Sequence, residues 1–572
     1  MNSHKGKGTP SYVHGASDVP LRGVTLGDLL LQTAETHGER EALVSRGQGL
    51  RYTYTELNAA VDRVARALMA LGVEQGQRVG IWAANCAEWV LVQFATARMG
   101  AILVNINPAY RSHELEYALR QSGVTLLVTA PGFRQHDYRA TLAGLVPELA
   151  ASPDAMALRS AALPDLRGIM CLGDEPGPGM MAWRELLLRA EDVEIAALRE
   201  RSGALQFDDP INIQFTSGTT GRPKGATLSH HNILNNGFFI GEYMRLTERD
   251  RVCIPVPLYH CFGMVLGNLA CVTHGAAMVY PSEAFDPASA LETVQEEACT
   301  ALHGVPTMFI AELALPNFAD YDLSTLRTGI MAGSPCPIEV MRQVRARMHM
   351  SEVTICYGMT ETSPVSFQTR PEDDEETKVS TVGSIHPHEE VKIVDAEGRI
   401  VPRGAPGELL TRGYNVMLSY WDNPEATAAA IDAARWMHTG DITEMREDGY
   451  VNIVGRIKDM IIRGGENIYP REIEEFLYTH PKVDDVQIIG VPDPKYGEEV
   501  CAWVRLKNGE SATDDEIRAY CRGRIATYKI PRYVRFVDAF PMTVTGKVQK
   551  YVMREQSIED LGLRDAAATG TA

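Results

Sequence analysis

The stretch TSGTTGRPKG, residues 216–225, follows an apolar run at residues 211–215 that predicts a buried strand. Its glycines let backbone N–H groups approach an anion, its hydroxyls can donate further hydrogen bonds, and Lys224 adds a positive charge. The composition predicts a phosphate-binding loop, with a plain glycine-rich turn as the alternative. A Walker A loop is excluded, since it would need glycine in place of Pro223 and serine or threonine in place of Gly225.

The segments around this loop alternate between helical and strand patterns. Apolar residues at positions 57, 61, 64, 68 and 71 predict an amphipathic helix that Gly72 ends, and residues 78–82 predict a strand. Further short strands are predicted at residues 101–104, 125–128, 277–280 and 354–356. This alternation indicates α/β layers.

After residues 455–459 the predicted elements become shorter and more charged. They are a helix at residues 472–477, strands at 486–491 and 500–506, and a helix that Thr513 and Glu516 would open as a capping box. This pattern predicts a second, small α+β domain.

Composition limits the classes of function. A chain of 572 residues exceeds the roughly 250–300 residues of one core, so at least two domains are expected. With 55 Lys+Arg against 74 Asp+Glu the net charge is -19, which opposes nucleic-acid binding. The ten cysteines include no CxxC pair, which disfavours a zinc site or a disulfide framework. Residues 1–15 lack the apolar stretch of a secretory signal. The apolar run at residues 80–107 is interrupted by charged residues, which disfavours a membrane span. We therefore expect a cytoplasmic protein with reduced thiols and no transmembrane segment.

The loop resembles the phosphate loop of the adenylate-forming (AMP-binding) superfamily, which includes acyl-CoA synthetases, firefly luciferase and peptide-synthetase adenylation domains. Later motifs follow in the superfamily's order: GSP at residues 333–335, YGMTE at 357–361, TGD at 439–441 and PMTVTGKVQK at 541–550. The resemblance extends from about residue 26 to residue 550.

The resemblance implies an α/β fold in which a large multi-layer N-terminal domain of sheets and helices, residues 26–457, is joined by a hinge to a small mobile α+β domain, residues 458–555. Residues 1–25 are predicted to be a flexible leader and residues 556–572 a loose tail. Lys458 occupies the hinge position.

The same resemblance implies a site for ATP and Mg²⁺. Tyr357 would stack on adenine, Thr360 would meet phosphate and Glu361 would hold Mg²⁺, while Asp441 and Arg456 would bind ribose and phosphate. The remaining implied nucleotide-binding residues are Thr216, Ser217, Gly218, Thr219, Thr220, Gly221, Lys224, Gly333, Ser334, Pro335, Gly358 and Met359.

Two further groups of residues are assigned by resemblance to the two chemical steps. Lys547 matches the superfamily's catalytic lysine, which would stabilise the negative charge that develops when a carboxylate attacks the α-phosphorus of ATP. Arg463, Gly464 and Gly465 would serve the second step, since paired glycines let the pantetheine arm of coenzyme A pass close to the backbone. No protein nucleophile is needed.

The acyl substrate is predicted from the segment VPLYHCFGM at residues 256–264. His260 is either a gate between the acyl pocket and the pantetheine channel, with a part in catalysis, or a hydrogen-bonded core residue. The candidate pocket residues are Phe262, Val265, Gly304, Val305 and Met331. These residues include no charged side chain, which favours a fatty acid as substrate. The amino-acid sequence of residues 257–269 and 102–111 resembles that of medium-chain-like fatty acyl-CoA synthetases.

Several alternatives stay open. His386 and His388 lie with two glutamates in GSIHPHEE, which predicts either a surface turn, the favoured reading, or a metal site. An aryl-acid CoA ligase and a non-catalytic regulator that binds nucleotide or acyl-CoA are the competing functions, and a peptide-synthetase module is disfavoured because little sequence follows Lys550. Fatty acid, ATP and coenzyme A are the expected partners, and a homodimer is left open.

Overall fold

The computed structural model describes residues 8–152, 156–173, 175–216, 223–334, 336–464, 466–542, 548–564 and 566. The chain divides into two compact units. The large unit comprises residues 14–390 and 411–437, and the small unit comprises the N-terminal residues up to 13, residues 391–410 and the chain from residue 438 onward. The predicted boundary at residues 457–458 falls within the small unit; it stays a prediction, as does the hinge at Lys458.

The α-helices of the described residues are α1 (Leu26–His37), α2 (Tyr54–Ala70), α3 (Ala87–Met99), α4 (Ser112–Ser122), α5 (Tyr138–Leu145), α6 (Trp183–Leu188), α7 (Ile195–Gly203), α8 (His230–Met244), α9 (Ala270–His274), α10 (Pro287–Glu296), α11 (Pro306–Leu313), α12 (Ile338–Arg347), α13 (Glu375–Ser380), α14 (Pro424–Ala430), α15 (Pro470–Leu477), α16 (Asp514–Cys521) and α17 (Lys550–Asp560).

The β-strands of the described residues are β1 (Tyr12–His14), β2 (Glu41–Ser45), β3 (Leu50–Thr53), β4 (Arg78–Trp82), β5 (Ile102–Asn105), β6 (Val124–Thr129), β7 (Gly132–Phe133), β8 (His136–Asp137), β9 (Gly168–Cys171), β10 (Met181–Ala182), β11 (Pro210–Thr216), β12 (Lys224–Ser229), β13 (Arg251–Cys253), β14 (Ala277–Tyr280), β15 (Ala301–Gly304), β16 (Thr328–Ala332), β17 (Glu352–Gly358), β18 (Val365–Gln368), β19 (Ser384–Ile385), β20 (Glu389–Val394), β21 (Gly407–Gly413), β22 (Ser419–Tyr420), β23 (Met437–Met445), β24 (Val451–Arg456), β25 (Ile461–Arg463), β26 (Glu466–Ile468), β27 (Val483–Asp493), β28 (Gly497–Leu506) and β29 (Tyr533–Phe536).

The large unit contains two long, mostly parallel sheets. One has the order β10-β9-β6-β4-β5-β11-β12-β22, and the other has the order β19-β18-β17-β16-β15-β13-β14-β2-β3. Helix α3 has every residue buried except Glu88, as expected for a helix covered on all sides by other layers. The α/β layering predicted from the sequence is confirmed.

Individual elements agree closely with the sequence patterns. Strands β4 and β14 have the predicted limits, and β5, β6, β11 and β17 lie within two residues of theirs. Helix α2 begins earlier than predicted, because Thr53 and Glu56 form a capping box, and it ends before Gly72, whose φ is +79°.

The small unit contains a sheet of order β1-β20-β21-β23-β24, whose strands β20 and β21 cross the division between the units, and a sheet of β26-β25-β28-β27 with β29 beside β28. Helix α16 begins at Thr513, whose side chain accepts the Glu516 N–H at 3.3 Å. The second hydrogen bond of a capping box, from the Thr513 N–H to the Glu516 carboxylate, was also predicted, and that prediction is wrong. The Glu516 carboxylate instead pairs with Lys482 at 2.8 Å.

Two segments predicted to be loose each contain an ordered element. In the leader, β1 joins a sheet, Ser11 N donates to Val401 O at 2.8 Å, and Arg22 N donates to Asn235 Oδ1 at 2.7 Å. In the tail, α17 continues to Asp560 because Ser557 is buried and accepts the Trp503 indole N–H at 2.9 Å. For the rest of both segments, the looseness inferred from composition stays a prediction.

The sequence also predicts reduced thiols and no transmembrane segment. All ten cysteines are free, as predicted. No helix in the described ranges is long and apolar enough to cross a membrane.

Candidate active site

Three parallel strands of the nine-stranded sheet end side by side and define one edge of the candidate site. Gly304 pairs with Met331 across β15 and β16, and Ala332 pairs with Cys356 across β16 and β17. The residues that follow, including Gly333 and Tyr357, therefore come to the same edge, where ligands of open α/β sheets bind.

Gly333 and Tyr357 shape this edge in different ways. Gly333 has φ +93°, which favours glycine, and a β-carbon there would lie 3.1 Å from Val305 Cγ1. The ring of Tyr357 is half-buried and lies 6.1 Å from the ring of Phe367, measured between centroids. A half-buried aromatic face is suited to stacking on a base.

The strands that flank the glycine-rich loop lie in the other sheet of the large unit. Thr216 ends β11 and pairs with Lys224, the first residue of the antiparallel strand β12. The Thr216 hydroxyl donates to Lys224 O at 3.3 Å, and the Tyr117 hydroxyl donates to Pro223 O at 2.9 Å. Both ends of the loop are thus fixed to the sheet.

Tyr420, which sequence reasoning did not identify, connects Lys224 with Glu361. It lies on β22, whose backbone pairs with β12, and is 4% exposed. Its hydroxyl donates to Glu361 Oε1 at 2.7 Å, and Lys224 Nζ lies 4.4 Å from the centre of its ring. Burial, with a further contribution from the Glu361 carboxylate, raises the pKa of Tyr420, so the hydroxyl keeps its proton.

Glu361 is positioned by a short 3₁₀ turn, Thr360–Thr362, that follows β17. Its backbone carbonyl accepts the Met417 N–H at 2.9 Å, and its carboxylate is 6% exposed. With Oε1 bound by Tyr420, Oε2 is left without a hydrogen-bond partner among the described residues.

One carboxylate of this kind fits Mg²⁺, which is usually held by one or two carboxylates together with substrate phosphates. Within the described residues there is no group of three or more acidic, histidine or cysteine side chains that could hold a metal ion. The donor set therefore suits a metal carried by the nucleotide.

His260 and Cys261 lie at the start of an unusual helical segment. Residues Phe262–Leu269 form a π-helix, and His260 Nδ1 accepts the Phe262 N–H at 3.1 Å. Cys261 Sγ lies 4.0 Å from the Thr360 hydroxyl, and burial raises the pKa of its thiol to about 12, which makes it a poor nucleophile. The gating role of His260 stays a prediction.

The predicted acyl-pocket residues are buried or half-buried: Phe262, Val265, Gly304, Val305 and Met331. Beside them lies His303, another residue that the sequence did not single out. Its ring centre is 5.7 Å from that of Phe262, and Nε2 lies 3.1 Å from Leu266 O. Burial lowers the pKa of His303 to about 4, so the ring is neutral near pH 7 and leaves the lining uncharged.

Further described site residues belong to the small unit. Asp441 and Arg456 pair across β23 and β24, with Arg456 Nε 2.9 Å from Asp441 Oδ1. The two residues predicted to bind ribose are thus adjacent.

Arg463 and Gly464 lie at the end of β25. Arg463 Nε pairs with Glu499 at 2.8 Å, and its guanidinium lies 4.2 Å from the ring centre of Tyr496. Gly464 has φ +60°, and a β-carbon there would lie 3.2 Å from the Tyr496 ring. A side chain at this position would be strained, which explains the glycine.

Eight predicted site residues lie outside the described ranges: Ser217, Gly218, Thr219, Thr220, Gly221, Pro335, Gly465 and Lys547. Their roles remain predictions. Gly358, Met359 and Lys458 lie within the described ranges, the first two between Tyr357 and the turn that carries Glu361.

The favoured reading of His386 as part of a surface turn is wrong. Its side chain is fully buried and Nε2 lies 3.1 Å from Gln368 Oε1, and burial lowers the pKa of its ring to about 3. His388 is half-buried and bonded to Val19 O. Neither histidine belongs to a metal-binding group of described residues.

The sequence matches the family model of AMP-binding enzymes over residues 30–421, and that of the C-terminal domain of AMP-binding enzymes over residues 472–547. Among solved structures, the crystal structure of the anthranilate CoA ligase AuaEII in complex with anthranoyl-AMP is similar, with a TM-score of 0.80 and 27% identity. The similarity covers 96% of this chain and 99% of that one.

Two curated relatives are similar over almost their whole length. A Bacillus subtilis (strain 168) protein, named "Putative acyl-CoA synthetase YngI", is 52% identical over 540 residues, covering 94% of this chain and 98% of the relative. The Danio rerio mitochondrial medium-chain acyl-CoA ligase ACSF2 is 48% identical over 559 residues, covering 97% of this chain and 92% of the relative.

Proposed function

The chain belongs to the family of AMP-binding enzymes, and on that premise we propose that it is an ATP-dependent fatty acid:CoA ligase acting through an acyl adenylate. In the first step the carboxylate of the acid attacks the α-phosphorus of ATP and pyrophosphate leaves. In the second step the thiol of coenzyme A attacks the acyl carbon and AMP leaves.

The observation that carries this proposal is the meeting of Lys224 and Glu361 at Tyr420. The ammonium group of Lys224, at the end of a glycine-rich loop, lies against the buried ring of Tyr420, and the carboxylate of Glu361, with one oxygen available, accepts the hydroxyl of the same residue. Lys224 is assigned to phosphate and Glu361 to Mg²⁺, which when bound would neutralise charge on the phosphate oxygens.

The other residues of the large unit are assigned to the base and the first step. Tyr357 is assigned to stacking on adenine and Thr360 to the phosphate. Lys547, which belongs to the small unit, is also assigned to the first step, to the transition state of adenylation, where a positioned cation stabilises developing negative charge.

The small unit is assigned the ribose and the second step. Asp441 and Arg456 are assigned to ribose and phosphate, and Arg463, Gly464 and Gly465 to coenzyme A. We propose that the C-terminal domain rotates about Lys458 between the two steps, so that the groups of each step act in turn.

The substrate is assigned to the medium- to long-chain fatty acids. The lining residues are apolar, the neighbouring His303 is neutral, and the relative from Danio rerio is named for medium-chain substrates. Each methylene buried in such a pocket contributes about 0.8 kcal/mol, so longer chains should be favoured until the pocket is full. Ten free cysteines agree with a cytoplasmic enzyme of lipid metabolism, and a homodimer stays a prediction.

Exchange of labelled pyrophosphate into ATP, measured across straight-chain acids from acetate upward and with benzoate and anthranilate, tests the proposal. We expect exchange that increases from acetate to medium-chain acids. Preference for the aromatic acids would favour an aryl-acid CoA ligase, the activity named for the structural neighbour. No exchange with any acid would favour a non-catalytic regulator.

A further inference from the structure

Tyr420 contacts two side chains of opposite charge, one through its ring and the other through its hydroxyl. Lys224 Nζ lies 4.4 Å from the ring centre, and the hydroxyl donates to Glu361 Oε1 at 2.7 Å. Among the described residues, neither Lys224 nor Glu361 takes part in an ion pair. Lys224 is half-buried and Glu361 is buried, and opposite charges that contact one side chain in this way could pair directly with each other.

A direct ion pair would take both groups away from their proposed ligands. The ammonium would then be neutralised before a phosphate arrives, and the carboxylate would be occupied before a metal ion arrives. An aromatic face attracts a cation without neutralising it, and a phenol donates one hydrogen bond while leaving the carboxylate charged. A tyrosine therefore keeps both charges in place and both available.

The backbone fixes the ring between its two partners. Met417 N donates to Glu361 O at 2.9 Å, and Trp421 N donates to Gly225 O at 2.7 Å. Tyr420 N itself donates to the Thr427 hydroxyl at 3.0 Å. The segment that carries the ring is thus bonded both to the turn that holds Glu361 and to the strand that begins with Lys224.

We propose that Tyr420 is a positioning residue that holds Lys224 and Glu361 apart, so that the lysine is free for nucleotide phosphate and the glutamate for Mg²⁺. The inference rests on the proposed function of these two residues. It assigns to Tyr420 no contact with substrate and no proton transfer.

Two substitutions separate the ring from its hydroxyl. Tyr420→Leu removes both, so Lys224 should pair with Glu361 and the affinity for ATP in EDTA, measured by calorimetry, should fall about tenfold. Adding Glu361→Gln to Tyr420→Leu should restore that affinity, because the neutral amide no longer captures the lysine. A purely structural role for Tyr420 would not produce this rescue.

Tyr420→Phe keeps the ring and removes the hydroxyl. Affinity for ATP in EDTA should stay as in the wild type, while the gain in affinity on adding Mg²⁺ should shrink about tenfold, the value of one hydrogen bond to a charged group. Because phenylalanine preserves the packing, this variant decides the hydroxyl's role even if the leucine variant does not fold. An unchanged Mg²⁺ gain in Tyr420→Phe would overturn the proposal, as would a lack of rescue in the folded double variant.

Tyr243→Phe is the matched control, since Tyr243 is also buried in the large unit and its hydroxyl accepts the Arg370 N–H at 3.0 Å. It should alter neither affinity. The single variants Lys224→Gln and Glu361→Gln separate the proposed function of these two residues from the proposed role of Tyr420. If they leave ATP affinity and the Mg²⁺ gain unchanged, the proposed function of these residues is wrong; if they lower them while the Tyr420 variants behave as wild type, only the role of Tyr420 is wrong.

Discussion

Different means hold Lys224 and Glu361 in the large unit and the side chain of Arg463 in the small unit. In the large unit, Lys224 begins strand β12 and Glu361 lies in the turn after β17, and backbone hydrogen bonds fix the main chain of both residues. In the small unit, Arg463 ends a three-residue strand and is held by Glu499 and by the ring of Tyr496.

This difference indicates how rigid each set of residues needs to be. Groups fixed by sheet backbone keep their geometry without a ligand, which suits the binding of ATP and the stabilisation of charge. Arg463 is paired with the buried Glu499 but is itself 22% exposed, and a partly exposed side chain can change its contacts more readily than sheet backbone, which suits a residue that acts in only one of two steps. The predictions below test this contrast, beginning with the largest expected effect.

Lys547→Ala should separate the two steps most strongly. Removing the cation should lower acyl-adenylate formation by about 100- to 1000-fold, as does loss of one transition-state donor in other enzymes. Thioester formation from synthetic acyl adenylate and coenzyme A should remain substantial. Single-turnover assays of each step measure both rates.

Lys550→Ala is a suitable control, because its ammonium pairs with Glu474 at 2.7 Å within the small unit and has no assigned part in the chemistry. It should leave the ratio of the two rates unchanged. Equal loss of both steps in a folded Lys547→Ala protein would refute the assignment of the lysine to adenylation alone.

Lys458→Pro should have the opposite effect. Proline fixes φ near -65° and stiffens the hinge, so adenylation should persist in one orientation while thioester formation falls about 100-fold. Single-turnover thioester formation from acyl adenylate is the measurement. Lys458→Ala should leave that rate nearly unchanged, because alanine keeps the backbone free, and a similar loss in both variants would point to the side chain instead of the hinge.

Most of the fold could be predicted because the spacing of apolar residues along the chain shows which side of a helix or strand is buried. Strands β4 and β14 are apolar runs of strand length, and helix α2 has a regular apolar face, so local sequence and tertiary structure agree. Strand β1 was not predicted, because it is held by backbone pairing, which any polar sequence can supply.

The site was predicted only where motifs mark it. Tyr420 lies 59 residues from Glu361 in the chain, and His303 lies 37 residues from Leu266. No local sequence pattern predicts either contact. His386 was misjudged because the adjacent Pro387 suggested a surface turn, while its burial is decided by distant residues such as Gln368 and Tyr243. Polar contacts between residues far apart in the chain leave no periodic pattern in the sequence.

Glu361→Gln should weaken the large unit's site without altering its fold. The amide can still accept the Tyr420 hydroxyl but carries no charge for Mg²⁺, so kcat/KM for adenylation should fall about 10- to 100-fold. The loss should be smaller when Mn²⁺, which binds more tightly to such sites, replaces Mg²⁺. Pyrophosphate exchange as a function of metal concentration measures the change, and an unaltered metal dependence in a folded variant would remove Glu361 from the site.

The smallest effect is expected from His303→Gln, and it tests whether burial in the large unit makes that unit sensitive to acid. Burial holds the pKa of His303 at about 4, whereas an unfolded histidine has a pKa near 6.5, so below pH 6.5 the unfolded chain takes up a proton that the folded chain does not. The free energy of unfolding is therefore highest above pH 6.5 and decreases as the pH falls toward 4. Glutamine can still donate to Leu266 O and does not titrate, so between pH 7.5 and pH 5 the variant should lose about 2 kcal/mol less stability than the wild type. Urea denaturation at both values measures this difference, and the comparison at pH 7.5 accounts for any change in packing. An identical pH dependence for the two proteins would mean that His303 does not stay neutral in the folded state, and with it the argument for an uncharged acyl pocket would lose its support.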